Sequence, residues 1–179
     1  MKKQIVFAVL TIGAIVLGTN NIKAQTTATA TTTVKMVLAD VISMEAPASQ
    51  VTFTYDNAAA YNTDQTQSVV NNLKVTSTKS FGIKVKADGA NFTDGTNNIP
   101  VNVMTIKPVT GGTKAMGGTQ TPVVLSTTDQ VLVTAAPKGS QVTLNVDYFI
   151  PAAKSSSADI LGKPAGTYVQ TVTYTATAL

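Results

Sequence analysis

The sequence predicts an all-β protein: an immunoglobulin-like antiparallel β-sandwich of about 7–9 strands, following an N-terminal signal peptide. Three observations predict it. Threonine supplies 30 of the 179 residues, much of it in strict alternation with apolar residues, and a β-branched side chain fits a pleated, half-buried surface. Gly, Pro, Asn and Asp recur every ten or so residues, and the runs between them alternate with period two. Histidine, cysteine, arginine and tryptophan are all absent. Those four side chains do much of the proton transfer, thiolate attack, soft-metal ligation and bidentate phosphate clamping in proteins. The composition suits a chain that makes sheet rather than one that runs a reaction.

The elements follow in chain order. Lys2 and Lys3 give a positive start, residues 5–17 are apolar except for Thr11 and Gly13, and a polar stretch leads to Ala24. This reads as a secretory signal peptide over residues 1–24, cut before Gln25; a retained anchor is the alternative. The apolar run is short for a bilayer span and no second one follows, so no membrane span is expected after cleavage. Without cysteine a lipid anchor at the cleavage site is excluded. The expected location is exported: extracellular or cell-surface, and periplasmic in transit. Lys2, Lys3 and Lys23 leave with the signal, so ten lysines face nine acids. Those lysines are scattered singly, which argues against a nucleic-acid partner.

Residues 25–179 are enough for one domain with a full core. Strands are expected over 28–38, 50–55, 73–77, 80–87, 100–106, 123–126, 131–135, 141–150 and 167–178, packed as two sheets. A closed barrel is the alternative. Residues 56–68 read as a loop with room for one helical turn. Residues 110–121, with four glycines, read as a mobile loop, and residues 152–164 as a long crossing.

The two ends carry the functional expectation. In the last strand Tyr168, Val172, Tyr174, Ala176 and Ala178 share one face, with threonines on the other. Before it stands Pro164-Ala165-Gly166-Thr167-Tyr168, a rigid turn feeding a strand. The ending from about Gln141 resembles the closing strand of the spore-coat-U/archaic chaperone–usher pilin group, which has a similar Ala-Gly-Thr-Tyr turn before a Thr/Val strand. It is also similar to the WxL cell-wall-binding group. The chain lacks the disulfide usual in the first and the tryptophan motif of the second. The resemblance implies an exported β-sandwich used for surface display or assembly. At the other end Ala28, Ala30, Val34, Met36 and Leu38 fall on alternate positions, with Thr27, Thr29, Thr31, Thr33 and Lys35 on the other face. Residues 25–38 are then either the first strand of their own sandwich or a strand donated to a neighbour's groove.

Other chemistry is weak. Asp88, Asn91, Asp94 and Asn97 repeat Asp-Gly-x-Asn twice, a spacing of oxygens that calcium accepts, but Asp-Gly and Asn-Asn are also ordinary hairpin turns and no glutamate closes the loop. Asn91-Phe92-Thr93 is a glycosylation sequon. Asp40 and Glu45 form a conceivable carboxylate pair and Lys154 with Ser155 a Ser-Lys pair, yet neither comes with an aromatic platform or a catalytic spacing. The expectation is therefore no enzyme, no cofactor and no metal. The protein is expected to be a pilin-like fibre or surface-layer subunit, associating with itself or with other surface subunits. The alternative is a monomeric secreted adhesin, or a module binding a glycan or cell-wall ligand.

Overall fold

The computed structural model describes residues 28–45 and 50–179; the signal peptide expected over 1–24 lies outside the described residues. The chain divides into two units after Val37. In the first, residues 28–37 belong to no helix or strand and all are exposed, so the strand expected over 28–38 is not formed. A half-apolar segment gains little from extended geometry until a second strand satisfies its backbone and covers its apolar face.

The second unit is all-β, with antiparallel sheets. β1 (Ile42–Glu45) opens it, α1 (Ala58–Asn62) follows, and β2 (Gln65–Ser77) and β3 (Phe81–Ala87) come next. α1 is one turn, capped where the Asn57 side chain accepts the Ala60 N–H at 3.0 Å. A small hairpin, β4 (Asn91–Thr93) with β5 (Asn98–Pro100), leads through a 3₁₀ turn into β6 (Thr105–Val109). β7 (Thr119–Gln120), β8 (Val123–Val124), β9 (Gln130–Ala136), β10 (Gly139–Ile150), the short α2 (Ala152–Ser155) and β11 (Val172–Ala178) complete it. One sheet runs β1-β2-β10-β6-β8 and the other β11-β3-β9-β7.

The two sheets share one core. Leu73, Val75, Leu144 and Val146 from the first meet Phe81, Ile83, Val85 and Leu132 from the second, all essentially sealed from solvent. The alternation of β3 and β10 gives this directly, since period two sends every other side chain inward.

Four expectations are corrected. β2 begins at Gln65, not residue 73, because Gln65 to Ser68 pair with Ile150 to Asp147 despite their polarity. The strand expected over 100–106 is broken by a turn in which Met104 N–H reaches Val101 O. The closing strand begins at Val172, not 167. Val169 bridges to Thr93, and the Gln170 amide donates to the carbonyls of Gly89 and Asn91 at 2.8 and 2.6 Å, which fixes this approach on β4 rather than β3. The glycine-rich loop is docked. Thr113 N–H donates to Asn71 Oδ1, Lys114 N–H to Thr143 Oγ1, and Met116 is 2% exposed. Gly112 sits at φ +102°, where a Cβ would meet Asn71 Oδ1 at 2.5 Å and Thr143 Oγ1 at 2.6 Å. Only glycine fits that approach.

Candidate assembly edge

The two flanks of this fold are finished differently. On one flank the sheets end in β8 and β7, two residues each. So short an edge offers little to a foreign strand. On the other flank the sheets end in β1, four residues, and β11, seven residues, and β11 offers the longer edge.

One lip of this open side is formed by β1 and by residues 50–55. β1 pairs with the end of β2, Ile42 opposite Ser77 and Glu45 opposite Lys74. Residues 50–55 lie in no strand. Among the described residues they make no backbone hydrogen bond, yet they alternate half-buried Val51, Phe53 and Tyr55 with exposed Thr52 and Thr54. The Tyr55 hydroxyl lies 2.9 Å from Ser155 Oγ. Ser155 follows Ile150, which pairs with Gln65 at the far end of β2. Among the described residues of this lip, β1 alone is paired to β2, and Tyr55 lies toward the opposite end of that strand. Burial raises the Tyr55 pKa above its ordinary value, so the phenol stays a neutral hydrogen-bonding group.

The other lip is β11, bonded to β3 alone. Asp88 N–H donates to Thr171 O and Leu179 N–H to Ser80 O. In an antiparallel ladder this fixes which residues face the partner: the odd-numbered ones bond to β3, and Val172, Tyr174, Ala176 and Ala178 turn their N–H and C=O groups to the free edge. Their side chains fall on the inner face, and Val172, Tyr174 and Ala176 are half-buried against the core. Open backbone and incompletely covered apolar side chains therefore coincide on the same residues. The lips meet at one corner, where Asp40, Val41, Ile42, Thr78, Lys79 and Ala178 bound a surface recess. Asp40 Oδ2 lies 2.6 Å from Lys79 Nζ, and that hydrogen bond and charge hold the Asp40 carboxyl below its usual pKa.

The residues singled out in the sequence fall as follows. Ala28, Ala30, Val34, Met36 and Leu38 are exposed, Val34 at 80%, Met36 at 84% and Leu38 at 91%. Val172 and Tyr174 line the β11 lip. Tyr168 precedes the strand, its hydroxyl donating to Pro164 O at 2.9 Å, a bond that closes the Pro-Ala-Gly-Thr-Tyr turn on itself. Asp94 accepts the N–H groups of Thr96 and Asn97 at 2.8 and 2.6 Å and the Asn97 amide at 3.1 Å, and these bonds push its pKa down to about 2. Asp88 accepts from the Thr173 hydroxyl at 2.6 Å. Asn91 lies in β4 with its carbonyl taken by Gln170. Both Asp94 oxygens are thus engaged within the hairpin, and Asp88 Oδ1 by β11. Asp40 and Glu45 each face a lysine, Lys79 and Lys74, and Ser155 is buried against Tyr55.

Sequence reasoning missed the unpaired state of residues 50–55 and the corner at Asp40. The alternation Val51, Phe53, Tyr55 signals an inward face, but nothing local says whether a ladder partner exists. No protein-family model matches this chain, and no curated protein matches it in sequence.

Proposed function

We propose that this chain is an exported structural subunit, a pilin-like immunoglobulin-type sandwich that assembles by β-strand complementation, its N-terminal segment filling the open side of a second copy. One observation carries the reading: Val172, Tyr174, Ala176 and Ala178 turn free backbone groups to the outer edge of β11, the first three with half-covered side chains, while residues 50–55 pair with no strand among the described residues.

The exposed N-terminal segment matches this need in length and pattern. Thr32 to Leu38 is seven residues, as is β11, and Val34, Met36 and Leu38 have the spacing of the inward positions Val172, Tyr174 and Ala176. A strand laid along β11 meets about eight free backbone groups, each bond worth roughly 0.5–1.5 kcal/mol net. Burying three apolar side chains adds about 1.5–3 kcal/mol each. Peptide strands added to open sheet edges bind by this combination of backbone bonds and alternate side-chain pockets.

The test is size-exclusion chromatography with electron microscopy of secreted protein, with and without residues 25–37. Full-length protein is expected to form polymers, and the shortened protein is expected to remain a folded monomer. Polymers of equal length from both would end the reading, as would an unfolded shortened monomer.

A further inference from the structure

We propose that Asp40, Thr78 and Lys79 form a directing clamp, which holds the root of the N-terminal segment in line with β1 so that the segment serves a second copy of this chain and not its own groove. The proposal rests on the strand-complementation reading above.

Val41 N–H donates to Thr78 Oγ1 at 2.9 Å, and Thr78 N–H donates to Val41 O at 3.0 Å. Together they carry the β1–β2 ladder one step beyond the Ile42–Ser77 pair. Lys79 Nζ then grips Asp40 Oδ2 at 2.6 Å, with Thr78 Oγ1 3.4 Å from Asp40 Oδ1. The chain at 40–42 therefore continues straight past the end of β2.

Filling its own groove would demand the opposite course. Residues 28–37 would have to fold back along β1 as the second arm of a hairpin, with the turn in 38–41. A turn that takes in Asp40 and Val41 draws them away from Thr78 and Lys79 and breaks the bonds of the clamp. Donation to another copy breaks none of them. Only Ala39 separates the clamp from Leu38, the last apolar residue of the segment. A donor seated up to Leu38 thus holds its own body directly against the recipient, and the repeated head-to-tail contact builds a filament where its rotation does not close into a ring.

The clamp is exposed, so its parts can be exchanged without touching the core; the Asp40 and Lys79 side chains are 68% and 52% exposed. Three full-length variants decide the matter. Lys79→Asp sets two carboxylates against each other; the double variant Asp40→Lys/Lys79→Asp restores the pair in reverse; Met36→Asp disables the donor. The readouts are polymer yield and uptake of a fluorescent peptide of residues 28–40 by the monomer fraction. Lys79→Asp is expected to lower polymer yield about tenfold, the scale of a small change in a two-state balance, and its monomers should refuse the peptide because their own segment occupies the groove. The reversed pair should recover wild-type yield. Wild-type yield from Lys79→Asp, or no recovery in the reversed pair, overturns the clamp. If Met36→Asp polymerises like wild type, the strand-complementation reading falls instead.

Discussion

The hydroxyls of Tyr148 and Tyr174 lie 2.8 Å apart, tying β10 of one sheet to β11 of the other through the interior. Asn72, 1% exposed, donates its amide to Tyr148 Oη at 3.1 Å, which leaves the Tyr148 proton free for Tyr174. This polar chain holds the lip strand in place while its outer edge stays open.

Removing the two hydroxyls should therefore have unequal costs. Tyr174→Phe leaves Tyr148 satisfied by Asn72 and should cost about 1 kcal/mol. Tyr148→Phe strands the buried Asn72 amide and should cost more, about 1–3 kcal/mol. Urea denaturation of both variants checks the order, and equal costs would mean that Asn72 finds another partner.

The same pair sets an alkaline limit. Burial, then the neighbouring Tyr148, raises the Tyr174 pKa far above its ordinary value of 10. A raised folded-state pKa gives stability that is complete below the unfolded value and is lost as pH rises toward the folded one. The tyrosine contribution should be flat up to about pH 10 and fall above it. Hydrogen exchange of β11 amides, corrected for intrinsic rate, should report that loss.

Asp94 works in the other direction. Its pKa of about 2, depressed by backbone and side-chain bonds from Asn97 and Thr96, gives the β4–β5 hairpin a contribution that is present above the ordinary value of 3.8 and lost as pH falls through about 2. Asp94→Ala should speed exchange at Thr96 and Asn97 at neutral pH while leaving β3 and β10 unchanged. Chelator should not alter melting, because these oxygens serve the turn; a fall with EDTA that calcium reverses would refute that assignment.

Much of the fold was legible because burial enforces period two. Residues 80–87 and 141–150 alternate, 131–135 is a short β-branched and apolar run, and each is a strand within a residue or two of its expected bounds. β2 was legible only from Leu73 onward. Its first half carries Gln65 and Gln67 inward, toward the incompletely covered side, where no apolar demand marks them. The site was half legible for the same reason. Tyr174 and Val172 read as an inward face, but a missing neighbour leaves no trace in sequence. The Asp40–Lys79 pair spans 39 positions, and no local pattern joins them.

Two proline substitutions separate the bonded side of β11 from its free side. Thr175 pairs with Lys84 and turns its N–H to β3, whereas Ala176 turns its N–H outward. Proline removes a donor and is tolerated only where the N–H faces away from the sheet. Thr175→Pro should lower the melting temperature by loosening the closing strand. Ala176→Pro should melt nearer to wild type yet lower polymer yield, since it removes a bond that only a donor strand uses. Equal polymer loss at equal stability loss would mean that both act through unfolding.

Charge in the donor segment gives the complementary separation. Val34 and Met36 are 80% and 84% exposed, so Val34→Asp or Met36→Asp should shift monomer stability by no more than about 0.5 kcal/mol, the usual range for surface sites. In a filled groove the same carboxylate would have to enter an apolar site against half-buried Val172, Tyr174 and Ala176, at a cost of several kcal/mol. Polymers should therefore vanish while the monomer melts as before. Lys35 and Val37 fall on the opposite face of the donor, so Lys35→Asp should spare assembly. The alternation of effect along 34, 35 and 36 is the signature of a strand inserted with one face inward. A uniform effect of all three charges would instead point to net charge, and no donor register would remain to explain it.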